Sequence, residues 1–161
     1  MQTSVIEHWE ITKPAVHSRN GLVSSQHHLA SDVGAAILDV GGNAIDAAIA
    51  TGLTLGTVEP WMSGPGGGGY MTIYLAKEKT VKVIEFGMRA PFNSIPEDYP
   101  LSPVGTASSD AFNWPSVEGD ANIHGPLSIA VPGYIKGVSL ALERFGSMAW
   151  QDVIEPACRH A

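Results

Sequence analysis

The side chain with the clearest capacity for recognition chemistry is Arg89, which lies in residues 85–91 (EFGMRAP). A predicted strand ends at Phe86, and a period of two would place Glu85, Gly87 and Arg89 on one face beside two valines. The planar guanidinium of arginine forms paired hydrogen bonds with a carboxylate. The sequence therefore predicts that Arg89 binds either a carboxylate ligand or Glu85 in an internal ion pair, and both interpretations stay open.

A glycine-rich loop at residues 63–69 (SGPGGGG) matches the spacing G-x-G-x-x-G. Nucleotide-binding loops of that spacing follow a strand and open a helix, whose N-terminus holds the phosphates. Here the predicted order is helix, loop and strand, and no Lys-Ser or Lys-Thr pair follows, which argues against nucleotide binding. Two interpretations stay open: a core loop that needs unusual dihedrals, or close approach of backbone to a ligand or another strand.

Two further groups of reactive side chains are interpreted as structural. Residues 24–28 (SSQHH) place hydroxyls beside imidazoles, but sequence neighbours lack the fixed geometry of a nucleophile and its base. His27 and His28 also lack the spacing of a metal-binding pair, so this segment is predicted to cap the following helix. Cys158 lies among apolar residues of a predicted helix and is expected to be a small buried hydrophobe. We predict no metal site and no cofactor.

The N-terminal half of the chain must position these residues with two helices. Apolar residues spaced by three and four from Leu29 onwards predict a helix that ends at a Gly-Gly pair, residues 41–42. Asn43 is predicted to cap a second helix, with Asp46 favoured in its first turn. That helix extends to Val58 and is rich in alanine and glycine, so it is predicted to be buried and central.

The remaining elements are a hairpin and two more helices. Aromatic and β-branched residues predict strands over residues 70–75 and 80–86. Residues 91–132 are rich in proline and are predicted to be irregular. A helix is then predicted over residues 134–145, and Ser147 is predicted to cap a last helix.

Composition and charge exclude several classes of partner. The 161 residues fit one domain, and the net charge of -7 without a basic cluster argues against nucleic acid and anionic membrane surfaces. The most apolar window, residues 44–58, contains an Asp and is too short for a membrane span of about 20 residues. One cysteine excludes an internal disulfide. Residues 1–20 carry charges where a signal peptide needs an apolar stretch, so a cytoplasmic location is expected, with export left open.

Ordered motifs along the chain resemble those of the γ-glutamyltranspeptidase family. The most specific are G-G-N-A-x-D-A-A at residues 41–48 and G-G-G-G-Y-M at residues 66–71. Shorter matches follow in family order: GLVSS at 21–25, LAS at 29–31, VEP at 58–60, SG at 63–64, AP at 90–91, VPG at 131–133 and ALERFG at 141–146. The resemblance therefore spans about residues 20–161.

The resemblance implies an α+β fold that is part of the αββα four-layer sandwich of N-terminal nucleophile hydrolases, incomplete in this chain. Family members cleave themselves, and a Thr at the new N-terminus of the small subunit attacks γ-glutamyl amides such as glutathione. The family's T-T-H motif does not occur here, so no catalytic residue is expected in this chain, which alone should be inactive. Its expected partner is the small-subunit portion of the same precursor. Residues 1–20 are predicted to be an irregular lead-in, and residues 21–161 the N-terminal portion of the large subunit, truncated at 161.

The family's carboxylate-binding Arg lies in a motif like D-F-R-E-x-A-P, where this sequence has Gly87 at the Arg position. The resemblance implies that Arg89 reaches the same substrate carboxylate from about 6–7 Å further along the chain. It also places the loop of Gly66, Gly67, Gly68 and Gly69 near the site. The departure leaves open an acylase for other dicarboxylic amides, and a non-catalytic fragment or interaction module also stays open. The charged fraction of 16% is low, which favours a chain covered in part by further protein.

Overall fold

The computed structural model describes residues 14–103 and 114–161. In these residues it contains four helices, α1 (His28–Asp39), α2 (Ala44–Val58), α3 (Tyr134–Phe145) and α4 (Trp150–His160). Its two strands are β1 (Tyr70–Leu75) and β2 (Thr80–Glu85), and short 3-10 turns lie at Pro96–Asp98, Glu118–Asp120 and Pro126–Ser128. Of the predicted lead-in, residues 1–13 lie outside the described residues. The α+β arrangement agrees with the sequence prediction.

The predicted glycine stop of α1 is confirmed. The N–H of Gly41 donates to Leu38 O at 3.1 Å, and the N–H of Gly42 donates to Ile37 O at 2.9 Å. These two bonds satisfy the last carbonyls of the helix. Gly41 has a φ of +96°, which a residue with a Cβ adopts only under strain.

Helix α2 is the centre of the helical layer, because α1, α3 and α4 all pack against it. Its buried hydroxyls are satisfied within the helix: Thr51 donates to Ala47 O and Thr54 donates to Ala50 O, both at 2.8 Å. A Cβ at Gly34 of α1 would overlap the Thr51 hydroxyl, so glycine sets the distance between these two helices. The prediction of a buried central helix is confirmed.

The two strands form an antiparallel hairpin in which Tyr70 faces Glu85 and Leu75 faces Thr80. One face packs against the helices and buries Ile73 and Ile84. The opposite face, which we call the outer face, leaves four large side chains exposed: Tyr70, Tyr74, Val81 and Val83. An apolar face of this kind normally lies under another layer of protein.

Two local predictions were wrong. Ser147 does not cap α4, whose N-cap is Ala149; Ser147 instead donates its hydroxyl to Asp46. Cys158 is exposed rather than buried. The buried stripe of α4 consists of Val153, Pro156 and Ala157, and a residue directly after this stripe turns away from the core.

Candidate functional site

The glycine loop makes a tight turn and then joins the hairpin. The N–H of Gly67 donates to Gly64 O at 3.1 Å. Gly69 exchanges both backbone hydrogen bonds with Phe86, at 3.2 and 3.0 Å, which extends the hairpin ladder by one residue pair. No glycine of residues 64–69 has a positive φ, so unusual dihedrals are not the reason for this sequence.

The same loop caps helix α3 through a carbonyl. The N-cap of α3 is Gly133, which has no side chain to accept from the first amides of the helix. Gly67 O takes this role and accepts from the N–H of Gly133 at 3.1 Å and of Tyr134 at 3.0 Å. The loop therefore satisfies two amides that a helix N-terminus otherwise leaves without partners.

Gly68 is required by close approach to the chain segment that leads to Arg89. A Cβ at Gly68 would lie 2.7 Å from Met88 N and Phe86 O, and 2.9 Å from Gly87 C. These distances leave no room for a side chain. Of the two sequence interpretations of the loop, the structure supports close backbone approach, and the neighbour is the protein's own chain.

Arg89 is held by its backbone and presents a free guanidinium. Its N–H donates to Val131 O at 3.3 Å, and its carbonyl accepts from Val131 N at 2.8 Å. The Arg89 side chain is exposed. Among the described residues it makes no ion pair, so the predicted pair with Glu85 does not form.

The prediction that strand periodicity places Arg89 on one face with Glu85 and Gly87 was also wrong, because β2 ends at Glu85 and does not continue to residue 89. The position of Arg89 depends instead on the bridge to Val131 and on the contact of Gly68 with the preceding residues. The structure thus brings together two of the predicted site features, the glycine loop and Arg89, by long-range contacts that strand periodicity does not describe.

The Tyr70 phenol lies beside Gly87, two residues before Arg89. The Tyr70 hydroxyl would lie 3.5 Å from a Cβ at Gly87, so the phenol of β1 borders the position where the family motif has its arginine. Tyr70 is exposed. The Arg89 guanidinium and the Tyr70 phenol are both exposed and can each form hydrogen bonds with a carboxylate, but neither group is arranged here as a nucleophile with a base.

Residues 24–28 form a cap, as predicted. The Nδ1 atom of His27 accepts from the N–H of Leu29 at 3.3 Å, and the Ser25 hydroxyl donates to His27 O at 2.9 Å. Ser25 also shares a hydrogen bond with the Ser31 hydroxyl at 2.8 Å. In the described part of the chain, no three side chains of the His, Cys, Asp and Glu types cluster as they would around a metal ion.

Asp46 is a buried ionisable group. The sequence predicted its position in the first turn of α2 but not its contacts with the loop before α4. Its carboxylate accepts from the Asn43 N–H at 2.8 Å, as a first-turn cap. It also accepts from the Ser147 N–H at 3.0 Å, the Ser147 hydroxyl at 2.6 Å and the Met148 N–H at 3.3 Å. Burial raises the pKa of Asp46, but these hydrogen bonds outweigh it and hold the pKa below its ordinary value of 3.8.

A cavity of about 770 Å³ lies between residues 20–26 and α2, and Leu22, Leu38, Ala48 and Leu55 contribute apolar walls. Arg89 does not line it. A smaller cavity of about 200 Å³ is bordered by Gly64, Tyr134 and Cys158.

No helix in the described ranges combines the length and apolar character that crossing a membrane requires.

The family model of γ-glutamyltranspeptidase matches residues 30–161. A glutathione hydrolase proenzyme of Bacillus subtilis is 38% identical over 143 residues, which are 89% of this chain and 23% of that protein. An acylase ACY 1 proenzyme of a Pseudomonas species is 41% identical over 145 residues, 90% of this chain and 25% of that protein. The chain spans about a quarter of the length of these curated relatives.

Solved structures show the same likeness. The γ-glutamyltranspeptidase of Helicobacter pylori superimposes with a TM-score of 0.77 at 32% identity, over 91% of this chain and 38% of that chain. The γ-glutamyltranspeptidase of Pseudomonas nitroreducens, complexed with L-DON, gives 0.75 at 29% identity, over 90% of this chain and 39% of that chain. These likenesses confirm the predicted fold class, an α+β arrangement that is an incomplete part of an αββα sandwich.

Proposed function

Because the chain belongs to the γ-glutamyltranspeptidase family, we propose that it forms part of an enzyme that hydrolyses or transfers γ-glutamyl groups. Glutathione and related γ-glutamyl amides are the proposed substrates. The observation that carries the proposal is the family match over residues 30–161, together with the exposed side chain of Arg89, which follows the backbone that packs on Gly68. Residues 21–161 would be the N-terminal portion of the large subunit.

The proposed chemistry uses a nucleophile that this chain does not contain. A Thr hydroxyl oxygen in another part of the proenzyme attacks the γ-carbonyl carbon, and its proton passes through the α-amino group of that Thr to the departing amine. The C–N bond breaks, and an ester acyl-enzyme remains. Water resolves this ester by hydrolysis, or the amine of an amino acid or peptide resolves it by transfer.

In this proposal the chain contributes substrate recognition. The Arg89 guanidinium binds the carboxylate of the γ-glutamyl group with two parallel hydrogen bonds. Gly68 packs on Met88, next to Arg89, and Gly67 O binds the N–H of Gly133, two residues after the Val131 that pairs with Arg89. The role of the glycine loop is therefore to position the arginine rather than to touch the substrate.

The outer face of the hairpin supports a partner within the same precursor. Tyr70, Tyr74, Val81 and Val83 expose apolar surface on one side of a two-stranded sheet. We infer that the small-subunit portion and the rest of the large subunit cover this face as the second half of the sandwich. Without that cover the chain alone should tend to associate, and without the Thr nucleophile it should be inactive.

Two observations favour a second candidate, an acylase for other dicarboxylic amides. Gly87 stands where the family motif has its arginine, and the sequence is 41% identical to an acylase proenzyme over 145 residues. An arginine two residues later would suit an acyl group that presents its carboxylate in a different position. This reading changes the substrate and keeps the acyl-enzyme mechanism.

A paired turnover assay tests the proposed substrate class. The full-length protein would receive a γ-glutamyl amide and a glutaryl amide of one chromogenic amine, which differ only in the α-amino group. We expect a kcat/KM at least about tenfold higher for the γ-glutamyl amide, because a site built for a polar group rejects the analogue that lacks it. The 161-residue chain alone should turn over neither amide.

The outcomes of this assay separate the candidates. A higher kcat/KM for the glutaryl amide would replace the γ-glutamyl proposal by the acylase. Turnover of neither amide by the full-length protein would contradict both and would support a non-catalytic module.

We also propose a cytoplasmic location, with which the unpaired Cys158 is compatible. Cell fractionation that finds the protein in an exported fraction would overturn this proposal.

A further inference from the structure

The first turn of α1 is held by a histidine in a role that oxygen-bearing side chains usually fill. His27 is the N-cap, and its Nδ1 atom accepts a hydrogen bond from the N–H of Leu29 at 3.3 Å. Ser, Thr, Asn and Asp are the preferred residues at this position. An imidazole nitrogen accepts a hydrogen bond only while it carries no proton. This cap therefore exists only in the neutral form of His27.

The immediate surroundings of His27 include a second imidazole and the N-terminus of α1. The ring of His28 stacks on it, with the centroids 4.8 Å apart and the planes at 21°. The N-terminus of a helix carries a partial positive charge, which disfavours a cation at the cap. Within the described ranges, His27 forms no ion pair with a carboxylate.

The charged groups of the neighbouring elements are few. Helix α1 itself carries Asp32 and Asp39, of which neither is bonded to His27. Helix α2 packs against α1, and its one charged residue, Asp46, is already bound to Asn43 and Ser147. The segment of residues 20–26 contains no charged side chain.

The cap is connected to the wall of the 770 Å³ cavity. The Ser25 hydroxyl donates to His27 O at 2.9 Å and shares a hydrogen bond with Ser31 of α1 at 2.8 Å. Residues 20–26 form one side of that cavity, opposite α2. Ser25 therefore joins the first turn of α1 to this wall.

We propose that His27 is a proton-sensitive cap that controls the order of the first turn of α1 and of the adjoining cavity wall. In the neutral state Nδ1 accepts from Leu29 and the turn is closed. Protonation converts Nδ1 into a donor that faces another donor, the Leu29 N–H, and the turn opens. The unperturbed histidine side chain changes charge between about pH 5 and 8, so pH 7.5 and pH 5.0 are suitable conditions for comparing the two states.

Amide hydrogen exchange at pH 7.5 and 5.0, corrected for intrinsic exchange rates, tests the proposal on the full-length protein. The reporter is the peptide that covers residues 28–34, and the reference is α2. In the wild type, protection of the first turn should fall about fivefold at pH 5.0, the effect of losing one helix cap. In His27→Asn, whose amide accepts at both pH values, protection should not change. His28→Asn is the matched control and should retain the wild-type response.

Each result of the hydrogen-exchange experiment supports or overturns the proposed role of His27. The proposal is supported if the pH response is confined to α1 and disappears only in His27→Asn. It is overturned if wild-type protection is equal at the two pH values, or if His27→Asn responds as the wild type does. A response that disappears in His28→Asn, or that extends equally to α2, would assign the pH dependence to another group or to global unfolding.

Discussion

Replacing Asp46 by Ala is expected to lower the free energy of unfolding by about 3–4 kcal/mol. The substitution removes the acceptor of four hydrogen bonds, from the Asn43 N–H, the Ser147 N–H and hydroxyl, and the Met148 N–H. The Asp46 side chain is fully buried, so its former donors have no ready access to water. Equilibrium unfolding in urea, followed by circular dichroism, measures the effect.

The matched control is Asp39→Ala. Asp39 is exposed at the end of α1, and we expect its loss to change the free energy of unfolding by less than about 0.5 kcal/mol. An equal destabilisation by the two substitutions would contradict the role assigned to Asp46. It would mean that the hydrogen bonds between the start of α2 and the loop before α4 contribute no net stability.

The lowered pKa of Asp46 gives this contribution a pH dependence. Because the pKa of the folded state lies below the ordinary 3.8, the ionised carboxylate stabilises the fold at all pH values above that range. The contribution is lost as the pH falls through 3.8 towards the folded pKa. The difference in unfolding free energy between the wild type and Asp46→Asn should therefore shrink on acidification and stay constant between about pH 6 and 8.

Replacing Arg89 by Ala is expected to raise the KM of the full-length enzyme for a γ-glutamyl amide by about 100-fold. In the role proposed for Arg89, the substitution removes two hydrogen bonds to a charged group, which together are worth about 3 kcal/mol. Arg89→Lys should raise KM by about tenfold, because an ammonium keeps the charge but not the paired geometry. The value of kcat should change much less, since the carboxylate lies away from the reacting bond.

Arg144 provides the control for this experiment. It is an exposed arginine near the end of α3, and Arg144→Ala should leave KM within about twofold of the wild type. An unchanged KM in Arg89→Ala would remove Arg89 from the substrate site. The assignment of the family to this chain would remain, because it depends on the match over residues 30–161 and not on Arg89.

The local elements were predictable because their causes lie close together in the sequence. The helical spacing from Leu29, the glycine pair after it and Asn43 before α2 each act within a few residues, and the structure confirms all three. The hairpin follows from its β-branched residues and from a polar turn. Its last pair, Gly69 with Phe86, lies one residue beyond the ends of β1 and β2, and Phe86 is the residue at which the second predicted strand ends.

The contacts of the candidate site were not predictable in the same way. Ser147 lies 101 residues from Asp46, so a capping pattern near Ser147 suggested the wrong partner. Arg89 is placed by Val131, across an irregular stretch in which no periodicity connects the two residues. The sequence contained one signal of this contact: residues 90–91 (A-P) and residues 131–133 (V-P-G) both match motifs of the same family, in the family's order.

Mass spectrometry of the full-length protein, before and after incubation with a γ-glutamyl amide, tests the proposed function most directly. We predict two polypeptides from one precursor, with the larger containing residues 21–161 and the smaller beginning with Thr. After incubation, the first residue of the smaller polypeptide should carry a γ-glutamyl acyl group. A single uncleaved polypeptide without an acyl adduct would contradict the proposal that this chain is part of a self-processing γ-glutamyl enzyme.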